Sequence, residues 1–347
     1  MRPFKIDQII EEYIRGVQQF YPSLRYGGRF SFYSGDEPQG GEISFGTDNN
    51  LLNNTQHSVG RNNVEIVHFT SLNAGLSIIE NGELWLSQVE HCNDALELEH
   101  AFSTKPAEII DKIKDLKRKY FISSFSDYKK LSEDEEFMMW RCYGNDGNGL
   151  ALVFEIEKPN KLASSYLLGK VEYGNNSKAK LNFEMFLKFD EDFRKQHPGV
   201  IQNTFFNEIL MIALLLKTNI WRKEKEIRLI GFHNYDDYSL KTITHDMKNS
   251  TLSNIYHTMD GNGIHKAFLK LRLAGTEHFN ALKDRLSKIY PSYPINKLTP
   301  ILRLKKVIIG YRLLQKWDNK AIIIFNKLVE KYDEKPIGEF SRLNKYF

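Results

Sequence analysis

From residue 64 onward, short β-rich runs alternate with stretches of helical periodicity, and few architectures accept that pattern. Strand-like runs fall at 64–70, 84–87, 120–126, 149–156, 168–173, 226–232 and 305–311. Helical spacing fills 72–80, 107–119, 181–196, 200–218, 264–290 and 320–332. Strands this short, separated by irregular helices, predict an α+β fold: a mixed sheet flanked by helices.

The text ahead of residue 63 differs. Ile6, Ile9, Ile10, Tyr13, Ile14, Val17 and Phe20 mark one face of a helix over 4–21. Between Tyr26 and Asn63, Gly, Ser, Asn and Asp dominate, which predicts a long loop with room for one short hairpin. The expected division is therefore a helical N-terminal extension over 1–62 and a main domain over 63–347. A helical insertion is expected near 181–217.

Composition excludes several classes. Two cysteines, Cys92 and Cys142, cannot build a disulfide scaffold or a Cys-rich zinc module, and their scarcity fits a reducing compartment. The most apolar stretch, 205–216, contains Asn207 and Glu208 and falls short of the roughly 20 residues a bilayer demands. Glu11, Glu12 and Arg15 interrupt the N-terminal isoleucines, unlike an export signal. A cytoplasmic protein with no membrane segment is expected.

The net charge of +4 hides a split. Residues 77–100 carry six acidic side chains and no Lys or Arg, whereas 261–320 carry thirteen basic against three acidic, a local +10. Such a segment attracts a polyanion such as nucleic acid. Solvated helix faces with snorkelling lysine stems are the plainer reading.

Three polar clusters stand where apolar residues would be expected. His68 and Thr70 end the first strand of the main domain and, two apart, share a face; a satisfied core histidine is the plainer reading. Ser124 and Ser126 share a face of the 120–126 strand, as a ligand site or as a strand end. Glu224, Glu226 and Arg228 line up at period two entering the 226–232 strand. Two carboxylates and a guanidinium can stabilise a developing cation and orient a nucleophile, or form an exposed ion-pair ladder.

Taken in order, His, Ser-x-Ser and Glu-x-Glu resemble the three-part signature of ADP-ribosyltransferases. A closer resemblance, from Glu65 to about Tyr332, is to the bacterial domain of unknown function 2971 family. Its motifs stand here as His68-Phe69-Thr70, Asn93-Asp94-Ala95-Leu96-Glu97 (Ala95 where the family carries Pro), Ser124-Phe125-Ser126, Trp140-Arg141-Cys142-Tyr143 and Lys217 with Trp221, Glu224, Glu226 and Arg228. About 100 residues separate Ser126 from Glu226, more than transferases usually place there.

The transferase resemblance implies NAD as substrate, cleaved at its nicotinamide glycosidic bond, with ADP-ribose passed to a macromolecule or to water. It implies that His68 and Thr70 bind the adenosine-side ribose or diphosphate and Ser124 the nicotinamide-side ribose, with Ser126 also holding NAD. Trp140 or Tyr143 would stack on nicotinamide, and Arg228 would pair with a carboxylate or phosphate. Glu226 would be the catalytic carboxylate and Glu224 would orient the acceptor. A toxin or phage-defence setting goes with it, and nucleic acid at 261–320 is the expected acceptor. Two rivals remain: a non-enzymatic nucleotide- or nucleic-acid-binding module using the same cleft, and a metal-dependent nuclease built on His91, Asn93, Asp94 and Glu97. That cluster lacks the spacing of a clean ligand triad, so no metal is expected.

Overall fold

The computed structural model describes residues 3–23, 26–32, 41–45, 51–60, 62–92, 98–103, 117–157, 162, 165–198, 206–233, 255–259, 263, 265–292, 294–297, 299–313 and 320–346. The chain opens with helix α1 (Pro3–Phe20), strands β1 (Tyr26–Phe32), β2 (Gly41–Phe45) and β3 (Val64–Thr70), then helix α2 (Leu72–Asn81). Strands β4 (Glu83–Gln88) and β5 (Tyr120–Ser126) lead to helix α3 (Glu133–Cys142) and strands β6 (Leu150–Ile156), β7 (Tyr166–Lys170) and β8 (Glu172–Tyr173). Helices α4 (Lys178–Gln196) and α5 (Phe206–Ala213) precede strands β9 (Leu216–Lys217), β10 (Glu226–Phe232), β11 (Ile255–Met259) and β12 (His265–Arg272). Helix α6 (Glu277–Ile289), strand β13 (Leu302–Ile309), helix α7 (Lys320–Val329) and strand β14 (Ile337–Phe340) complete the order.

Contacts divide the chain into two units, one of residues 1–60, 96–115 and 169–222, the other of 61–95, 116–168 and 223–347. In the first, α1 meets α4 through aromatic rings: Tyr13 lies 5.8 Å from Phe189 and 5.1 Å from Phe193 between centroids. The Tyr13 hydroxyl donates to Asp190 at 2.6 Å. The helices over 181–217, expected as an insertion of the main domain, group with α1 in this unit. β1 and β2 pair antiparallel, the hairpin within the loop region.

Among the described residues, ten strands form one mixed, open sheet. The main path runs β11–β12–β4–β5–β3–β6–β13–β14, with β10 and then β7 added beside β5. β14 runs parallel to β13, whereas the β5–β10 and β3–β6 ladders are antiparallel. Local chemistry sets the helix ends beside it. Ser71 caps α2 through its hydroxyl and Gly82, at φ 64°, ends it in the left-handed conformation. A capping box of Ser132 and Glu135 starts α3.

β5 is the branch point. One edge pairs with β10 along its length, from Ser126 opposite Glu226 to Tyr120 opposite Phe232. The other edge is shared: β4 takes it at Phe121 and Ile122, and β3 takes it at Ser126. Between those contacts β4 and β3 part.

Register assigns the faces, because residues paired across a ladder project the same way. Leu84, Leu86, Phe121, Phe125, Ile227, Leu229, Leu269 and Leu271 fill one buried face. On the other face, Val67, Phe69, Ala151 and Val153 are covered by Met139 and Trp140 of α3 together with Tyr311 and Leu343. Beyond β5 that same face carries Ser87, Trp85, Phe268 and Tyr256, and there it is open: Trp85 is 36% and Tyr256 40% exposed.

Two expectations need correction. The helix expected over 264–290 is a strand, β12, followed by the shorter helix α6. Its first half alternates, with Ala267, Leu269 and Leu271 buried, and Gly275 at φ 83° separates the two elements. The stretch over 200–218 is helical only at Phe206–Ala213 among its described residues and ends in β9. The helix expected over 107–119 lies outside the described residues up to 116; 117–119 form a 3₁₀ turn. No helix among the described residues is long and apolar enough to cross a membrane.

Candidate functional site

Where β4 and β3 part, the polar clusters converge. Ser124 lies directly opposite Arg228, and Ser126 opposite Glu226, across the β5–β10 ladder. All four side chains therefore share one face. The Ser124 hydroxyl donates diagonally to Glu226 Oε1 at 2.5 Å. Arg228 grips the same carboxylate with both arms, Nε at 2.6 Å from Oε1 and Nη2 at 3.1 Å from Oε2. Glu226 and Arg228 are buried while Ser124 is exposed. A buried, fork-held carboxylate is thus presented to solvent through one serine hydroxyl, at the boundary between the covered and open halves of the face.

His68 reaches the same point from the other side. Val67 pairs with Ser126, so the pleat sends the next residue to the opposite face, where the His68 ring lies 5.7 Å from that of Phe125. Its Nδ1 sits 3.0 Å from the Ser124 carbonyl oxygen. A carbonyl only accepts, so Nδ1 carries the proton and Nε2 keeps its lone pair. Burial holds the ring below the ordinary histidine pKa, and the Ser124 carbonyl opposes that shift. His68 is thus the imidazole wedge between two diverging strands.

Ser126 and Glu224 shape the entry to β10. The buried Ser126 hydroxyl donates to the Glu224 carbonyl at 2.9 Å. Lys225, at φ 46°, turns the chain between the two glutamates and is anchored to Glu135 at 2.7 Å and to the Lys130 carbonyl at 3.0 Å. The Tyr143 hydroxyl donates to the Glu224 carboxylate. Burial, then that hydrogen bond, then the Glu224 charge hold the Tyr143 phenol far above its ordinary pKa.

Three expected ligand contacts are corrected by packing. Trp140 has no exposed surface, packs edge-on against Phe69 and donates its Nε1 to Glu136 at 3.1 Å, so of the two rings proposed for nicotinamide only Tyr143 reaches the site. Thr70 is buried, its methyl set against α2 beside Gly75. Ser126 is fully buried and serves the turn. The sequence reading missed Glu136, a buried carboxylate that takes Trp140 Nε1, the Ser341 hydroxyl and Arg342; its place four residues before Trp140 on one helix was the available signal.

The basic segment is not uniform. Arg303 pairs with Glu157 and Glu334 at 3.0 and 2.9 Å, Lys305 with Glu334 at 3.4 Å and Lys306 with Glu339 at 3.3 Å. Lys266, Lys270 and Arg272 lie on the open half of the sheet face, where Lys270 pairs with Glu83 at 3.2 Å and Arg272 donates to the His278 carbonyl at 3.1 Å. Of the cluster weighed for a nuclease, Asn93, Asp94 and Glu97 lie outside the described residues; no group of three metal-ligating side chains occurs among the described ones.

Fold and site define a mixed α+β protein with a Ser–Glu–Arg cluster at a sheet branch point. Residues 139–229 match the family model described as "Protein of unknown function (DUF2971)". That span holds Trp140, Tyr143, Glu224, Glu226 and Arg228; His68, Thr70, Ser124 and Ser126 precede it. No curated protein and no solved structure matches the chain.

Proposed function

We propose that the protein cleaves the glycosidic bond of NAD and transfers ADP-ribose to an acceptor, with Glu226 as the catalytic carboxylate. The observation that carries this reading is the exposed Ser124 hydroxyl bonded to a buried carboxylate that Arg228 holds with two nitrogens. NAD supplies the chemistry of its nicotinamide leaving group: the ribose C1–N bond breaks, the electron pair leaves with nicotinamide, and the acceptor oxygen or nitrogen bonds to C1 and loses its proton.

Each residue present has a part in that reaction. Glu226, fixed before the reaction begins, stabilises the positive charge that develops on the ribose, an interaction strongest in the transition state. Ser124 both orients that carboxylate and offers its oxygen to a ribose hydroxyl. His68 Nε2 accepts a hydrogen bond from the other side of the gap. Tyr143 holds Glu224, which faces the incoming acceptor.

Turnover of labelled NAD tests the proposal. Glu226→Gln keeps size but leaves the buried Arg228 without its carboxylate, so thermal melting first confirms that the variant folds; in the folded variant the expected result is a rate loss on the order of 10²-fold or more with NAD binding little changed. Unchanged turnover in the variant rejects the role of Glu226. Binding of NAD without release of nicotinamide by the unaltered protein points to the binding-module rival instead.

A further inference from the structure

We infer that the open half of the sheet face beside Ser124 is a stacking platform for single-stranded nucleic acid. Three aromatic rings lie there on three adjacent strands. Trp85 of β4 is 5.4 Å from Phe268 of β12 and 4.9 Å from Tyr256 of β11 between centroids, and Tyr256 and Phe268 are direct ladder partners. The opposite face of the same strands is core, with Leu84, Leu86, Leu269 and Leu271 buried. The aromatic trio therefore does not close this sheet, and adjacent strands hold it in contact with solvent.

The charge around the rings selects the partner. Lys266, Phe268, Lys270 and Arg272 alternate with buried residues along β12, so their side chains share one face with about 6.8 Å from each to the next. Lys270 Nζ sits 4.7 Å from the centroids of both Trp85 and Tyr256, with Glu83 at 3.2 Å the carboxylate beside it. Rings tilted 43–44° to one another, with the Lys270 ammonium over two of them and Lys266 and Arg272 on the same face, offer stacking surface to unstacked bases and charge to the phosphates that join them. A duplex keeps its base faces hidden and a neutral glycan brings no charge for the cations, so a single strand suits both features. The same segment was singled out by its +10 charge, and its Arg303, Lys305 and Lys306 are engaged by carboxylates. The platform is where that charge meets aromatic surface.

Register also ties the platform to the candidate site. β4 pairs with β5 at Ser87–Ile122 and Gln88–Phe121. The ladder ends there, with Trp85 two residues along β4 and Ser124 two residues along β5 on the same face. A strand laid across Trp85 would present a nucleotide beside the Ser124–Glu226 pair. This last point alone rests on the transferase reading; binding itself does not.

Fluorescence anisotropy without NAD, at two salt concentrations, tests the platform with labelled DNA and RNA single strands, a blunt duplex and heparin. Single strands are expected to bind more tightly than the duplex. Trp85→Ala is expected to weaken single-strand binding about 10-fold while leaving heparin binding unchanged. Lys266→Gln is expected to lower the salt slope by about one. Trp85→Phe, which keeps a ring, is expected to retain most of the affinity, and thermal melting of each variant reports its folding. Absence of single-strand binding at low salt, equal binding of the duplex, or equal losses for single strand and heparin in folded Trp85→Ala would overturn the proposal. Single-strand binding that depends on Trp85 in a protein that does not turn over NAD leaves the platform standing and removes the transferase reading. NAD turnover without such binding does the reverse.

Discussion

Ser126 and Glu226 face each other across the β5–β10 ladder, yet the hydroxyl that meets the Glu226 carboxylate belongs to Ser124, one step along the diagonal. The two serines of the Ser-x-Ser pair therefore do different things. Ser126 is buried and fixes the Glu224 carbonyl; Ser124 is exposed and touches the Glu226 carboxylate. Ser126→Ala removes the donor from a buried acceptor and is expected to cost about 1–3 kcal/mol. Ser124→Ala removes one donor from the buried Glu226 carboxylate, which keeps Arg228, and is expected to cost about 1 kcal/mol and to reduce NAD turnover. Urea titration beside a nicotinamide-release assay separates the two, and the reverse pattern would exchange their roles.

Arg228 and Glu226 form an ion pair almost without solvent contact. Removing one partner strands the other charge away from water, so Arg228→Ala is expected to destabilise the protein by about 3–5 kcal/mol. The double variant Glu226→Gln with Arg228→Met buries no unpaired charge and is expected to recover much of that loss. Denaturation midpoints of the wild type, Arg228→Ala and the double variant make the comparison. Equal stability of Arg228→Ala and the double variant would mean that the stranded carboxylate carries little of the cost.

Much of this arrangement was legible in the sequence, and what was hidden has three separate causes. Period-two placement of Ser124, Ser126, Glu226 and Arg228 located the cluster, because residues two apart on a strand share a face wherever the strand lies. The face taken by His68 was not legible: it follows from Val67 pairing with Ser126, a register set by distant chain. Trp140 looked like a ligand platform because its motif gives no depth, and the core around Phe69 and Tyr311 claims it. β12 was hidden for a chemical reason. Lys266 to Leu273 alternates, yet Ala, Leu, Lys and Arg are all strong helix formers and run directly into the true helix α6. Missing β12 and its partner β11 concealed the aromatic platform, since Trp85, Phe268 and Tyr256 are adjacent only across the ladders.

His57 gives a pH dependence with a definite sign. It is buried, its Nδ1 lies 2.8 Å from the Lys170 carbonyl, and burial pushes its pKa down to about 4, against a smaller opposing effect of that hydrogen bond. The unfolded chain, with an ordinary value of 6.5, binds the proton first as pH falls. The neutral ring's contribution is therefore complete above about pH 6.5 and is lost progressively down to about pH 4. The gap corresponds to about 3 kcal/mol. Stability measured by urea between pH 7 and pH 4 is expected to fall, and His57→Gln is expected to flatten part of that fall. An unchanged pH slope in a folded His57→Gln protein would assign the acid sensitivity elsewhere.

Lys225 holds a left-handed φ of 46° between Glu224 and Glu226, a conformation that costs a residue with a side chain about 1 kcal/mol or more. Two contacts keep it there: the ammonium reaches Glu135 at 2.7 Å and the Lys130 carbonyl at 3.0 Å. The side chain is partly exposed, so the ion pair is worth at most about 1 kcal/mol. Lys225→Ala removes both contacts and keeps the strain, and it is expected to destabilise the protein by about 1 kcal/mol. Lys225→Gly removes the same contacts and relieves the strain, since glycine enters the left-handed region freely. The glycine variant is thus expected to be the more stable of the two, by about 1 kcal/mol, despite its greater freedom in the unfolded chain. Their activities should run the other way: glycine loosens the link that sets Glu224 against Glu226, so nicotinamide release is expected to fall further in Lys225→Gly than in Lys225→Ala. An alanine variant more stable than the glycine one would show that the turn does not hold its left-handed conformation in solution.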